Sequence, residues 1–91
     1  MTFRIRYHYL VVEEDIPKLS SVLQEKIRRA IEEKLVAQPE VYGKPLRRSL
    51  KGYRKLRVGD YRVIYRIGGR AVKIFVIQHR SVAYRTAERR T

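Results

Sequence analysis

Residues 53–67 read YRKLRVGDYRVIYRI, and their pattern decides the fold. Two alternating runs flank Gly59-Asp60, and a two-residue loop with Gly first favours a type II′ hairpin turn. A turn there sets Val58 opposite Tyr61, Arg57 opposite Arg62, Leu56 opposite Val63 and Lys55 opposite Ile64. Opposite residues of an antiparallel pair share a face. One face then holds Leu56, Val58, Tyr61, Val63, Tyr65 and Ile67 and belongs in a core. The other holds Tyr53, Lys55, Arg57, Arg62, Ile64 and Arg66. The hairpin therefore predicts a sheet with one apolar side and one cationic side. Like charges set directly opposite destabilise a strand pair by about a few tenths of a kcal/mol. Either the arginines splay into water, or a phosphate arrives between two guanidinium forks and satisfies both.

Working outward, Gly68-Gly69 marks a second turn, and residues 71–79 form the next strand. In a simple meander this strand leads His79 and Arg80 back to the cationic face, with Tyr84 following. At the N-terminus, residues 3–12 (FRIRYHYLVV) alternate and then turn apolar, which predicts a strand. EEDIPKL (13–19) predicts a short helix, with acids in its first turn and Pro17 tolerated there. Ser20 and Ser21 are N-cap candidates, and Ser21 with Gln24 has capping-box spacing. Leu19, Leu23, Ile27, Ile31 and Leu35 recur every fourth residue, the core stripe of an amphipathic helix. Pro39 and Gly43-Lys44-Pro45 stop it. The last stretch, SVAYRTAERRT, is too short to assign. The expectation is an α+β fold, with two N-terminal helices packed as one layer on a mainly antiparallel four-stranded sheet.

Ninety-one residues predict one domain, 1–91, with a modest core. The charge is uneven. Residues 1–45 carry eight Lys or Arg against seven Asp or Glu, a net +1, while residues 46–91 carry fourteen against two, a net +12. The second half calls for a polyanionic partner. No apolar run has the length of a membrane span, and the N-terminus is too polar for a signal peptide. The chain has no cysteine, which rules out disulfides and thiolate metal sites and agrees with a cytoplasmic location. There is no Walker loop, HExxH motif or nucleophile elbow.

The ordered set Asp15-Ile16-Pro17-Lys18-Leu19, Gly43-Lys44-Pro45-Leu46, Leu50-Lys51-Gly52-Tyr53, Leu56 to Tyr65, His79-Arg80 and Tyr84 resembles the RelE/ParE superfamily of bacterial toxins, and within it the RelE-like mRNA interferases. The resemblance implies the toxin of a type II toxin–antitoxin system, cutting mRNA in the ribosomal A site and silenced by a cognate antitoxin. It carries active-site roles onto Lys55 and Arg57, Arg62, Arg80 and Tyr84, and some relatives use a histidine, which adds His79. Lys51, Tyr53, Arg54, Arg66 and Arg85 are further candidates for gripping RNA. The residue types suit metal-independent chemistry, in which the RNA 2′-hydroxyl attacks the adjacent phosphorus. Arg57, Arg62 and Arg80 would stabilise phosphoryl charge, Tyr84 would stack on a base or act as general base, and Arg80 or His79 would protonate the leaving 5′-oxygen. No cofactor or metal is called for. The partners implied are antitoxin, ribosome and mRNA, with no membrane. Two other readings share the charge pattern: a ParE-like inhibitor of DNA gyrase, and a non-catalytic RNA-binding module.

Overall fold

The structure, a computed structural model, describes residues 2–91. Five strands form one sheet: β1 (Arg4–Tyr7), β2 (Lys44–Pro45), β3 (Tyr53–Val58), β4 (Tyr61–Gly68) and β5 (Ala71–His79), in the order β1-β5-β4-β3-β2. The β3–β4 hairpin has the register read from the sequence, from Val58 opposite Tyr61 to Tyr53 opposite Arg66. Gly59 adopts φ +59°, whereas Asp60 keeps the ordinary negative sign, as a type II′ turn requires. β1 runs parallel to β5, and β2 adds a fifth, two-residue strand on β3 that the sequence pattern does not reveal.

The N-terminal strand is shorter than expected. It stops at Tyr7, and residues 9–18 are helical, including a wide turn at Val11–Asp15 and a tight one at Ile16–Lys18. The apolar run Leu10-Val11-Val12 looks extended, but four-residue spacing buries Val11 and Asp15 together. Ser20, not Ser21, caps the next helix, accepting the Leu23 N–H at 3.2 Å. Gln24 makes no capping box; its amide donates instead to the carbonyls of Ile16 and Leu19. Helix α1 (Ser21–Ala30) continues through a wide turn at Ile31–Leu35. Its stripe is core: Ile27, Ile31 and Leu35 are buried against Leu56, Val63, Tyr65 and Ile74. Each fully buried Ile or Leu contributes roughly 1.5–3 kcal/mol. Pro39 ends this run and opens the short helix α2 (Pro39–Tyr42).

The opposite face of the sheet is not wholly cationic. A C-terminal helix, α3 (Ala83–Arg90), lies across it. Ala83 and Ala87, four residues apart, let the helix approach Ile64, Phe75 and Val76, and all five are buried. The expected single helix layer is therefore two layers, one on each face. A bulge in β5 supplies the apolar seat. Tyr65 pairs with Ile74 and Ile64 with Val76, so Phe75 is the extra residue and both Phe75 and Val76 join the α3 cluster.

Candidate functional site

The bulge also decides which side chains gather at the hairpin end. Strict alternation would have set His79 opposite Asp60, on the face of Arg62. With one residue inserted, Arg62 pairs with Gln78, and His79 pairs with Tyr61 on the other face. His79 rests edge-on against the Tyr61 ring at 5.7 Å, and its Nδ1 accepts the Ser81 N–H at 3.1 Å. The expectation that His79 joins the basic face is thus corrected by a single extra residue in β5. Arg80 takes the vacated place in the ladder, its N–H donating to the Asp60 carbonyl at 2.9 Å.

On the α3 side, at the hairpin end, stand Lys55, Arg57 and Arg62, with Arg80 at the end of β5. Arg57 is exposed and directly opposite Arg62. Arg62 is half-buried, and its Nη1 donates to the carbonyls of Gly59 (3.1 Å) and Tyr61 (3.0 Å). The turn carbonyls hold that guanidinium in place and leave its remaining donors for a ligand. The Lys55 ammonium sits 5.5 Å from the centre of the Tyr84 ring, so the first turn of α3 delivers Tyr84 to the same cluster. None of these four cations forms an ion pair among the described residues. Cations without ion-pair partners, one of them a guanidinium held by the turn, beside a phenol suit the stabilisation of a polyanion and of charge developing on it.

The other candidates lie elsewhere. Arg54 is on the α1 side, where one Nη donates to the Glu40 carbonyl at 2.6 Å and its Nε is buried without a partner. It is a structural residue beneath α2, not part of the basic face. Arg85 lines a cleft of about 620 Å³ with His79, Lys18 and Arg89, between α3 and the first helical segment. Lys51 is exposed in the turn before β3. Tyr53 and Arg66 share the α3 side of the sheet with Arg62 but pair with each other farther along it.

Sequence reasoning missed the network that seats α3. Asp15 is buried and accepts four hydrogen bonds at 2.9 Å, from the Ile77 N–H, from Gln78 Nε2, and from both Nη atoms of Arg90. Gln78 in turn accepts from the Thr86 hydroxyl. Because β1 ends opposite Ile74, the Ile77 N–H has no strand partner, and the Asp15 carboxylate takes that place. In sequence, Asp15 is the last of three acids opening a helix and Arg90 lies in a basic tail. Seventy-five residues separate them, and no periodic signal joins them.

Residues 3–84 match the family model described as the ParE toxin of the type II toxin–antitoxin system parDE. The toxin RelE of Mycobacterium tuberculosis is 45% identical, over 69% of this chain and 71% of that protein. The RelBE2 toxin–antitoxin complex of the same organism contains a chain that superposes with a TM-score of 0.81 at 30% identity, covering 88% of this chain and all of that one. The archaeal RelE–RelB complex of Pyrococcus horikoshii gives 0.64 at 26% identity, covering 91% of this chain and all of its counterpart.

Proposed function

The chain belongs to the RelE/ParE superfamily of toxins of type II toxin–antitoxin systems, and from that premise we propose that residues 1–91 act as an endoribonuclease domain that cuts mRNA on the ribosome without a metal. The observation that carries the reading is the cluster at the hairpin end, where Lys55, Arg57 and Arg62 share a face and Lys55 caps the Tyr84 ring. In the reaction, the 2′-oxygen attacks the adjacent phosphorus as its proton leaves, the bond to the 5′-oxygen breaks, and that oxygen takes a proton. The products are a 2′,3′-cyclic phosphate and a 5′-hydroxyl. Arg57 and Arg62 stabilise the charge on the phosphoryl oxygens. Tyr84, beside Lys55, stacks on a base or takes the 2′ proton. Arg80, brought to this face by the bulge, is better placed than His79 to face the leaving oxygen. With no carboxylate paired to these groups, much of the acceleration falls to positioning, which a translating ribosome supplies by fixing the message.

A cognate antitoxin is the expected protein partner, since the superposable RelE chains come from complexes with RelB. The deciding assay adds the purified chain to programmed ribosomes and to the same message free in solution. Rapid cutting on the ribosome, little cutting of free RNA, and 2′,3′-cyclic or 3′-phosphate ends are expected. Efficient cutting of naked RNA would remove the ribosome requirement; 3′-hydroxyl products needing a divalent metal would remove the mechanism. A second reading, inhibition of DNA gyrase, is favoured by the ParE description of the matching family. Gyrase-dependent DNA cleavage, with translation unaffected, would establish it instead.

A further inference from the structure

A second set of cations stands on the α3 side of the sheet, at the end away from the β3–β4 turn. Arg6 of β1 pairs with Lys73 of β5, Lys73 with Arg66 of β4, and Arg66 with Tyr53 of β3. Three cations therefore occupy one rung on three adjacent strands, each strand about 4.8 Å from the next. All three side chains are exposed, and none forms an ion pair among the described residues. The Arg66 guanidinium lies 5.7 Å from the centre of the half-buried Tyr53 ring. Along β4, Arg66 is four residues from Arg62, about 13 Å.

Like charges opposed on one rung work against the sheet, and Lys73 is flanked on both sides. A single acid at position 73 would pair with both arginines, so a row serving only as a solvated surface has an easy remedy that this chain does not use. Arginine forks match phosphate oxygens, and the Tyr53 ring, packed against Phe75 at 4.9 Å between centroids, holds the Arg66 guanidinium in the row. We propose that the Arg6–Lys73–Arg66 row, with Tyr53 holding Arg66, is a second RNA-backbone site, set apart from the hairpin cluster by α3, which covers Ile64 between Arg62 and Arg66. This rests on the endoribonuclease reading and extends it. It also draws β1, from the half of the chain with balanced charge, into RNA binding.

The test measures binding of the full chain to a single-stranded 2′-O-methyl RNA oligonucleotide, which cannot be cut by 2′-attack, and to vacant ribosomes, across a salt series. Two variants are compared: Arg6→Gln/Lys73→Gln/Arg66→Gln, and Lys73→Glu. On the oligonucleotide, the triple variant is expected to lower the slope of log K against log salt by about 2, at roughly 0.7 per lost contact on single strands. Lys73→Glu is expected to raise Tm while weakening RNA binding. Weakening on the oligonucleotide identifies the message strand as the ligand, and weakening on ribosomes alone identifies ribosomal RNA; either supports the site. Wild-type binding that both variants retain unchanged would overturn the row alone. Variants that bind RNA normally but lose the protein partner would overturn it in favour of an acidic polypeptide. A wild-type chain that binds neither RNA would sink the endoribonuclease reading and the row together.

Discussion

Arg62 is the residue on which the proposed chemistry turns, because its guanidinium is already held by the Gly59 and Tyr61 carbonyls before any ligand arrives. Removing a fixed donor aimed at transition-state charge costs about 2.7–4 kcal/mol, or roughly 10²–10³ in rate. Arg62→Ala should therefore abolish growth arrest and slow cleavage on ribosomes by that factor, with an unchanged circular-dichroism spectrum. Growth arrest persisting at equal expression would refute the assignment. His79→Ala should leave the cleavage rate nearly unchanged, since the β5 bulge points that ring at Tyr61. Gly43 shows a different constraint. A Cβ there would overlap the ring and hydroxyl of Tyr65, which is wholly buried and donates to the Pro39 carbonyl at 2.6 Å. Gly43→Ala should cost about 1–3 kcal/mol in urea denaturation, the usual penalty for overpacking.

At the scale of elements, α3 matters most, because it carries Tyr84 and is fastened at its far end by Arg90. Breaking a buried ion pair by removing one partner costs about 3–5 kcal/mol. Arg90→Ala leaves the Asp15 carboxylate buried, with only the Ile77 N–H and the Gln78 amide. The expected result is a loss of that order in stability, with hydrogen exchange of residues 83–90 accelerating first. Uniform loss of protection along the chain would show that α3 is not a separately released element. His8, at the joint between β1 and the first helical segment, adds a pH dependence. Its Nδ1 accepts the Leu10 N–H at 3.1 Å. Burial first, then Lys73 and Arg90, push its pKa below the ordinary histidine value, with Asp15 opposing. A depressed pKa favours the neutral ring in the folded state. The stability it brings is present above about pH 6.5 and lost as pH falls through the lowered value. His8→Asn keeps an acceptor for Leu10 but does not titrate, so the decline in Tm between about pH 7 and pH 5 should be shallower in that variant.

For the whole molecule, the decisive quantity is the net charge of +13. Such a charge repels itself in the compact state, and salt screens that repulsion beyond a Debye length of about 10 Å at 0.1 M. The Tm of the isolated chain should rise between about 0.01 and 0.15 M salt. An unchanged Tm would mean that the cations are already spaced beyond effective repulsion. The same surplus makes an acidic antitoxin segment a stabilising partner. Co-purification from the native host should recover a small protein and raise Tm above that of the chain alone, whereas recovery of gyrase alone would support the second reading.

What the sequence determined by itself was local or periodic. Gly59-Asp60 set the hairpin register, because alternation leaves one way to bury Leu56, Val63 and Tyr65 together. The four-residue spacing from Leu19 to Leu35 set the helix face. Family resemblance, resting on short motifs in order, pointed to the toxin superfamily. The tertiary structure decided what depends on distant partners. The short strand β2 forms only because β3 offers it an edge, and α3 forms over Ile64 because two alanines suffice when a bulge supplies Phe75 and Val76. Asp15 finds Arg90 only once the fold has brought the chain's ends together. The same bulge sends His79 to the Tyr61 face and puts Arg80, in its stead, opposite Asp60. One inserted residue reverses every later side chain in a strand of period two, and nothing local in AVKIFVIQHR marks where the insertion falls.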